Sequence, residues 1–178
     1  MKNRISALAI ALLAAATATT SCLKIWDIAP ITVKVYVSNA EGADLLDPQT
    51  VGAFDPAAIS ATWQGETYAV SDGEIPLEYG AVSEGGNATA VTRAYVPMFY
   101  GLSIFTDNNG RRYLYFGELS GEENFNNEVL TIDWGNGTVD HITIYNNFRW
   151  TITGNPKITR RFFFNDTKSD KATFRIVR

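Results

Sequence analysis

One cysteine, Cys22, and one histidine, His141, are all that the 178 residues contain of either type. A single thiol excludes an internal disulfide, so the fold relies on its core. With so few sulfur and nitrogen ligands, a structural zinc site, which takes four, is not expected. No Gly-x-Ser-x-Gly nucleophile motif is present. His141 follows Asp140 directly, and neighbours on a strand point to opposite faces, so the pair is not a catalytic couple. The chain also lacks a run apolar enough to cross a bilayer permanently. Its longest, residues 5–18, is about 14 residues against the ~20 that a spanning helix needs.

That short apolar run is nevertheless informative. Lys2 and Arg4 precede it, and Thr19, Thr20 and Ser21 follow, leading into Cys22. A basic start, an apolar middle and small residues at the end form a secretory signal. A cysteine directly after the small residues predicts cleavage before Cys22 and acylation of its sulfur. Thr19 occupies the position where such signals usually carry Leu. Residues 1–21 are therefore read as a lipoprotein signal peptide, residues 22–30 as a tether ending at Pro30, and residues 31–178 as one domain. Acyl chains hold a protein to a membrane at ~0.8 kcal/mol per buried methylene, without a transmembrane helix.

Basic side chains are in the minority as well. Of 15, Lys2 and Arg4 would leave with the leader, so 13 face 19 acidic ones, a balance of −6 in the mature chain. Such a domain repels phosphate backbones, so nucleic acid is not expected as a partner.

Strand periodicity fills the remainder. Ile31, Val33, Val35 and Val37 alternate with Thr32, Lys34 and Tyr36, which is the pattern of a half-buried strand. Residues 38–56 are turn-rich and read as a long connection. Two alternating runs flank Gln64-Gly65-Glu66, and Asp72-Gly73 marks a further turn before a short strand over 75–79. Residues 83–90 read as a loop. A strand over 95–106 turns at Asp107-Asn108-Asn109-Gly110 and returns over 112–119; Asn and Gly tolerate the positive φ of hairpin turns. Residues 120–127 read as polar loop. Strands are expected over 129–134 and 139–145, a break at Asn146-Asn147, then alternation at Phe148, Trp150 and Ile152. Ile158, Arg160, Phe162 and Phe164 alternate again; residues 165–170 are a turn cluster; Ala172, Phe174 and Ile176 close the chain. No amphipathic helix is evident. The expected fold is all-β: an antiparallel β-sandwich of about nine strands, immunoglobulin-like but without that fold's disulfide.

Three segments carry a resemblance: residues 39–48 (NAEGADLLDP), 59–68 (ISATWQGETY) and 130–140 (LTIDWGNGTVD). In this order behind a lipoprotein-type leader, the chain resembles the small uncharacterised lipoproteins of Bacteroidetes. The resemblance covers most of the mature chain. It implies a β-sandwich attached to the outer membrane, facing the periplasm or the cell surface. It brings no activity and no functional residues. Residues 133–137 are also similar to the aspartate–glycine turn of polycystic-kidney-disease-type Ig modules.

No catalytic residue, metal ligand or cofactor site is assigned from the sequence. Asp133 and Asp140 flank a glycine turn, where paired carboxylates could act as acid and base on a glycan, with Glu118 a third candidate; turn bonding and solvation account for them more simply. Asp44, Asp47 and Asp55, and Asp107, Asn108 and Asn109, offer oxygen ligands without the spacing of a calcium loop. Aromatics are the more promising set, because flat rings serve as platforms and interface anchors. Trp63, Tyr68 and Phe163 are the candidate binding residues. Trp63, Trp134 and Trp150 are in phase with aliphatic residues, which predicts core packing. Phe163 is out of phase with Phe162 and Phe164, which predicts exposure or contact with a second layer. Arg160, Arg161, Lys168, Lys171, Arg175 and Arg178 read as solvated strand edges. The leading expectation is a lipid-anchored envelope module that binds a glycan or partner protein. The alternatives are a glycan hydrolase using the carboxylates, or an adhesin-like assembly subunit.

Overall fold

The structure, a computed structural model, describes residues 26–71 and 98–178. The leader, Cys22, the turn at Asp72-Gly73, the strand expected over 75–79, the loop 83–90 and the start of the strand expected over 95–106 lie outside the described residues.

The protein is all-β. One ten-stranded sheet curls into a nearly closed, barrel-like sandwich. The strands are β1 (Ile31–Ser38), β2 (Ser60–Trp63), β3 (Glu66–Ser71), β4 (Leu102–Thr106), β5 (Arg112–Leu119), β6 (Phe125–Asp133), β7 (Val139–Trp150), β8 (Pro156–Phe164), β9 (Thr167–Ser169) and β10 (Thr173–Val177). A 3-10 turn, Pro56–Ala58, is capped by the Asp55 carboxylate, which accepts from the Ala57 amide. Around the sheet the order is β10-β1-β5-β4-β3-β2-β6-β7-β8-β9. Most neighbours are antiparallel, but β1–β10 and β3–β4 are parallel, so the sheet is mixed. Both parallel pairs join segments far apart in sequence, and parallel neighbours require a long crossover.

Strand alternation sends one face inward. Val33, Val35 and Val37 of β1 meet Leu114 and Phe116 of β5, Leu130 and Ile132 of β6, Ile142 and Ile144 of β7, and Phe162 and Phe174. Each such side chain, taken fully out of water, contributes about 1.5–3 kcal/mol. Trp63 packs here against Phe116 and Phe125, with ring centroids 6.1 and 5.6 Å away. On the outer face of β1, β4 and β5 lies a second aromatic layer of Tyr36, Tyr113 and Tyr115, with Tyr100 and Phe105 against it.

Three local expectations change. The break at Asn146-Asn147 does not form: β7 runs through both residues, and the Asn146 side chain is buried, donating to the Gly121 and Glu123 carbonyls and accepting from Arg160 Nε. Residues 125–127, expected in a loop, begin β6, because Phe125 is drawn into the core. The turn cluster at 165–170 contains β9, which pairs with β8 and brings the strands to ten.

The two rims of the barrel differ. At one, the N-terminal rim, β1 begins, β5 ends and β6 begins; Ile28 is buried there, and the Ala29 carbonyl accepts from Arg160 Nη2 at 2.6 Å. The other is roofed by residues 39–55. Leu45, Leu46 and Phe54 of this connection are buried, with Phe54 against the Trp134 ring at 5.0 Å. Asp44 ties the roof down, its carboxylate accepting from the Leu46 and Arg112 amides.

Candidate functional site

The two outermost strands, β9 and β10, are where the curled sheet fails to close. Phe164 of β8 and Phe174 of β10 touch across the gap, with centroids 5.3 Å apart. Above them runs a groove of about 350 Å³, lined by Phe164, Lys168, Ser169, Thr173, Phe174 and Arg175 among others. Its lining mixes two phenylalanines and Ile176 with hydroxyls, the Asn165 amide and two cations. A small-molecule site of this size is apolar with a few placed polar groups. Arg175 also lies over the Tyr36 ring, 5.1 Å from its centroid.

At the roofed rim the groove ends in a polar lock. Asp140 points into the molecule and is 1% exposed. Its carboxylate accepts from Trp134 Nε1 at 2.8 Å and Asn165 Nδ2 at 2.8 Å, and pairs with the Arg178 guanidinium. Asn165 in turn accepts from the His141 amide, fixing the β8–β9 turn in which Asn165 and Asp166 take positive φ.

The carboxylates weighed for acid–base chemistry are not brought together. In the β6–β7 register Asp133 faces Val139 and Asp140 faces Ile132, so the two point to opposite faces of the sheet. Asp133 is exposed and accepts from the Gly135 amide; Asp140 is enclosed. Glu118 stands near the end of β5, at the N-terminal rim, where its carboxylate accepts from the Met98 amide. The oxygen-rich loops are turn builders: Asp47 accepts from the Gln49 amide, Asp55 from Ala57, and Asp107 from Asn109 and Arg111. His141 is exposed, with Nδ1 3.2 Å from Thr131 Oγ1.

The aromatic candidates separate. Trp63, 5% exposed, is core. Tyr68 is half-buried, packs edge-on against Phe99 and Phe116, and donates its hydroxyl to Glu66 Oε2 at 2.7 Å. That bond, added to burial and to the Glu66 charge, holds the Tyr68 phenol above its ordinary range. Phe163 lies half-buried on the outer face between Thr143 and Lys168. Among the basic residues expected at edges, Lys168 and Arg175 do lie on β9 and β10, whereas Arg160 is half-buried and Arg161 stacks on Tyr145 at 4.0 Å. Burial lowers the Arg160 pKa.

Trp150 overturns its expectation. It is in phase with the core residues of β7, yet it is 53% exposed. The reason is length. β6 begins at Phe125, opposite Asn146, so residues 147–150 of β7 and 156–159 of β8 pair only with each other beyond the rim. Phe148, Trp150 and Ile158 thus carry the inward face past the end of the core. The groove, too, escapes sequence reasoning, because its walls come from strands whose adjacency is set by closure of the whole sheet. No family model, curated protein or solved structure matches this chain.

Proposed function

We propose that this chain is a lipid-anchored protein of the cell envelope whose β-sandwich is a non-catalytic module binding a glycan in the groove between β8, β9 and β10. The observation that carries the binding reading is that groove, whose lining joins Phe164, Phe174 and Ile176 to Asn165, Lys168, Ser169, Thr173 and Arg175. Sugars present apolar ring faces and many hydroxyls, which such a mixed lining complements. The two cations favour an acidic glycan. Support for the anchor is the leader and Cys22, the sole cysteine. The outer membrane is the proposed location, on either its periplasmic or its outward side.

A partner protein adding a strand is the second reading. It is favoured by the outermost position of β9 and β10, each paired on one side only among the described residues, since a strand edge offers main-chain bonds to an incoming chain. Lys168 and Arg175 oppose it, because charged edges discourage strand addition.

Radiolabelled palmitate should enter the wild-type protein and not Cys22→Ser; equal membrane retention of the two would refute the anchor. A glycan array should show binding to acidic sugars that Lys168→Glu weakens. Capture of an envelope protein with no glycan bound would favour the second reading.

A further inference from the structure

We propose that the β7–β8 hairpin is a membrane-contact device. Its apolar face inserts into the phospholipid interface beside the acyl anchor and sets the orientation of the sandwich. This rests on the reading of Cys22 as the anchor.

One face of the hairpin presents apolar side chains to solvent. In register, Phe148 lies opposite Ile158 and Trp150 opposite Pro156, so these four share one face. Phe148 and Trp150 pack edge-to-face at 5.3 Å, which presents them as a unit. Ile152, at the tip, is fully exposed. Arg149 and Lys157, directly opposite each other, occupy the other face.

Position points to a bilayer. The N-terminal chain leaves the barrel at the rim from which the hairpin projects. Arg160, on β8, grips the Ala29 carbonyl, and Asn146, its partner on β7, holds the adjoining Gly121 and Glu123 carbonyls. Ala29 is seven positions after Cys22, so the tether can carry an acylated Cys22 no further than about 25 Å from this clamp. From Asn146 to Ile152 the hairpin extends about 20 Å past the rim, a distance within the reach of the tether.

Charge agrees. From Tyr145 to Phe164 the hairpin carries Arg149, Lys157, Arg160 and Arg161 and no acidic residue, in a chain of net charge −4. Basic side chains beside buried apolar ones are the composition of an interfacial element, and anionic headgroups attract them. Tryptophan has an apolar body and a polar N–H, which suits the headgroup level.

The test reconstitutes the acylated protein in vesicles of phosphatidylcholine and phosphatidylglycerol that contain brominated lipid, and reads tryptophan quenching. Trp63 and Trp134 are buried in the fold, and Trp26, the fourth tryptophan, is changed to Phe in every protein compared, so Trp150→Phe should remove most of the quenchable emission. Ile152→Ser, at a side chain fully exposed among the described residues, should lower vesicle binding of the unacylated Cys22→Ser chain about tenfold, as expected for losing one buried aliphatic side chain. Acylated protein whose quenching is the same in Trp150→Phe as in its Trp26→Phe parent overturns the inference and leaves the anchor standing. Absence of an acyl group on Cys22 by mass spectrometry overturns both. A concentration-dependent blue shift of Trp150 emission without lipid, and no quenching with it, assigns the face to a second copy and overturns it too.

Discussion

Replacing Asp140 by alanine should destabilise the fold by about 2–5 kcal/mol. The carboxylate is the common acceptor of three donors from three parts of the chain: Trp134, Asn165 and Arg178. Trp134 is 1% exposed, so its indole N–H would be left without a partner in the core, at about 1–3 kcal/mol. The Asn165 amide is part-buried and adds about 1 kcal/mol. The Arg178 side chain is 31% exposed, so water screens its lost ion pair to below about 1 kcal/mol. A domain of this size has about 5–15 kcal/mol to lose, and each kcal/mol moves Tm by about 2–4 °C. Asp140→Ala should therefore lower Tm by roughly 4–20 °C. Asp140→Asn keeps one oxygen but turns an amide donor toward other donors, and should fall between the two. Arg178→Ala should cost less than Asp140→Ala, because it removes only the screened pair. Urea melts of the four proteins decide the matter. An Asp140→Ala loss below about 1 kcal/mol, smaller than a typical hydrogen bond, would refute the bookkeeping. So would an Arg178→Ala loss as large as that of Asp140→Ala. A stable Asp140→Asn that had lost a glycan-cleaving activity would instead restore the acid–base reading.

The same strand shows what was legible in the sequence. The inward face of β7 reads Asp140, Ile142, Ile144, Asn146. Period two marks a strand with a buried face, and the two isoleucines identify it. What alternation does not reveal is that the polar residues at either end also point inward, each holding the segments that close its rim. Asn146 looks like a break because asparagine favours turns; inside the fold its amide answers the carbonyls of the 120–124 loop instead. Hairpins with local turn chemistry were readable for the same reason. Gln64 and Gly65 both take positive φ, and Asp107 binds the amides of its own turn. Parallel pairing, by contrast, leaves no local mark, so the β1–β10 and β3–β4 contacts and the groove they help to shape were not foreseen. Nor was the length of β7 beyond the rim, because Trp150 obeys the inward phase and only the end of β6 decides that no described residue covers it.

Glycine and pH supply two further tests. Gly135 sits at φ +74°, and an added Cβ would lie 2.4 Å from the Ala58 Cβ and 2.7 Å from its carbonyl oxygen. Gly135→Ala should thus cost about 2–4 kcal/mol from conformation and overpacking together, while Gly137→Ala, at φ +85° with nothing within 4 Å, should cost only the conformational ~1–2 kcal/mol; equal losses in thermal melts would count against the contact. The pH test concerns Asp107 and Tyr36. The Arg111 amide holds the Asp107 carboxyl below its usual range, helped by the Asn109 amide and the Tyr36 hydroxyl. A depressed folded pKa means that its stabilisation is complete above the unfolded value of about 3.9 and is lost as pH falls through the folded one. Burial, then the Asp107 charge and hydrogen bond, raise the Tyr36 phenol. Its contribution is complete below the unfolded value of about 10 and disappears as pH rises through the folded one. One substitution therefore acts at both ends of the pH scale. Asp107→Asn should flatten the acid limb of the stability profile and bring the Tyr36 titration down toward, but not to, its ordinary value, since burial remains. Tyrosinate absorbance and denaturant melts across pH read both limbs; an acid limb that flattens while the tyrosine titration stays put would mean that Asp107 acts through its turn alone and not through Tyr36.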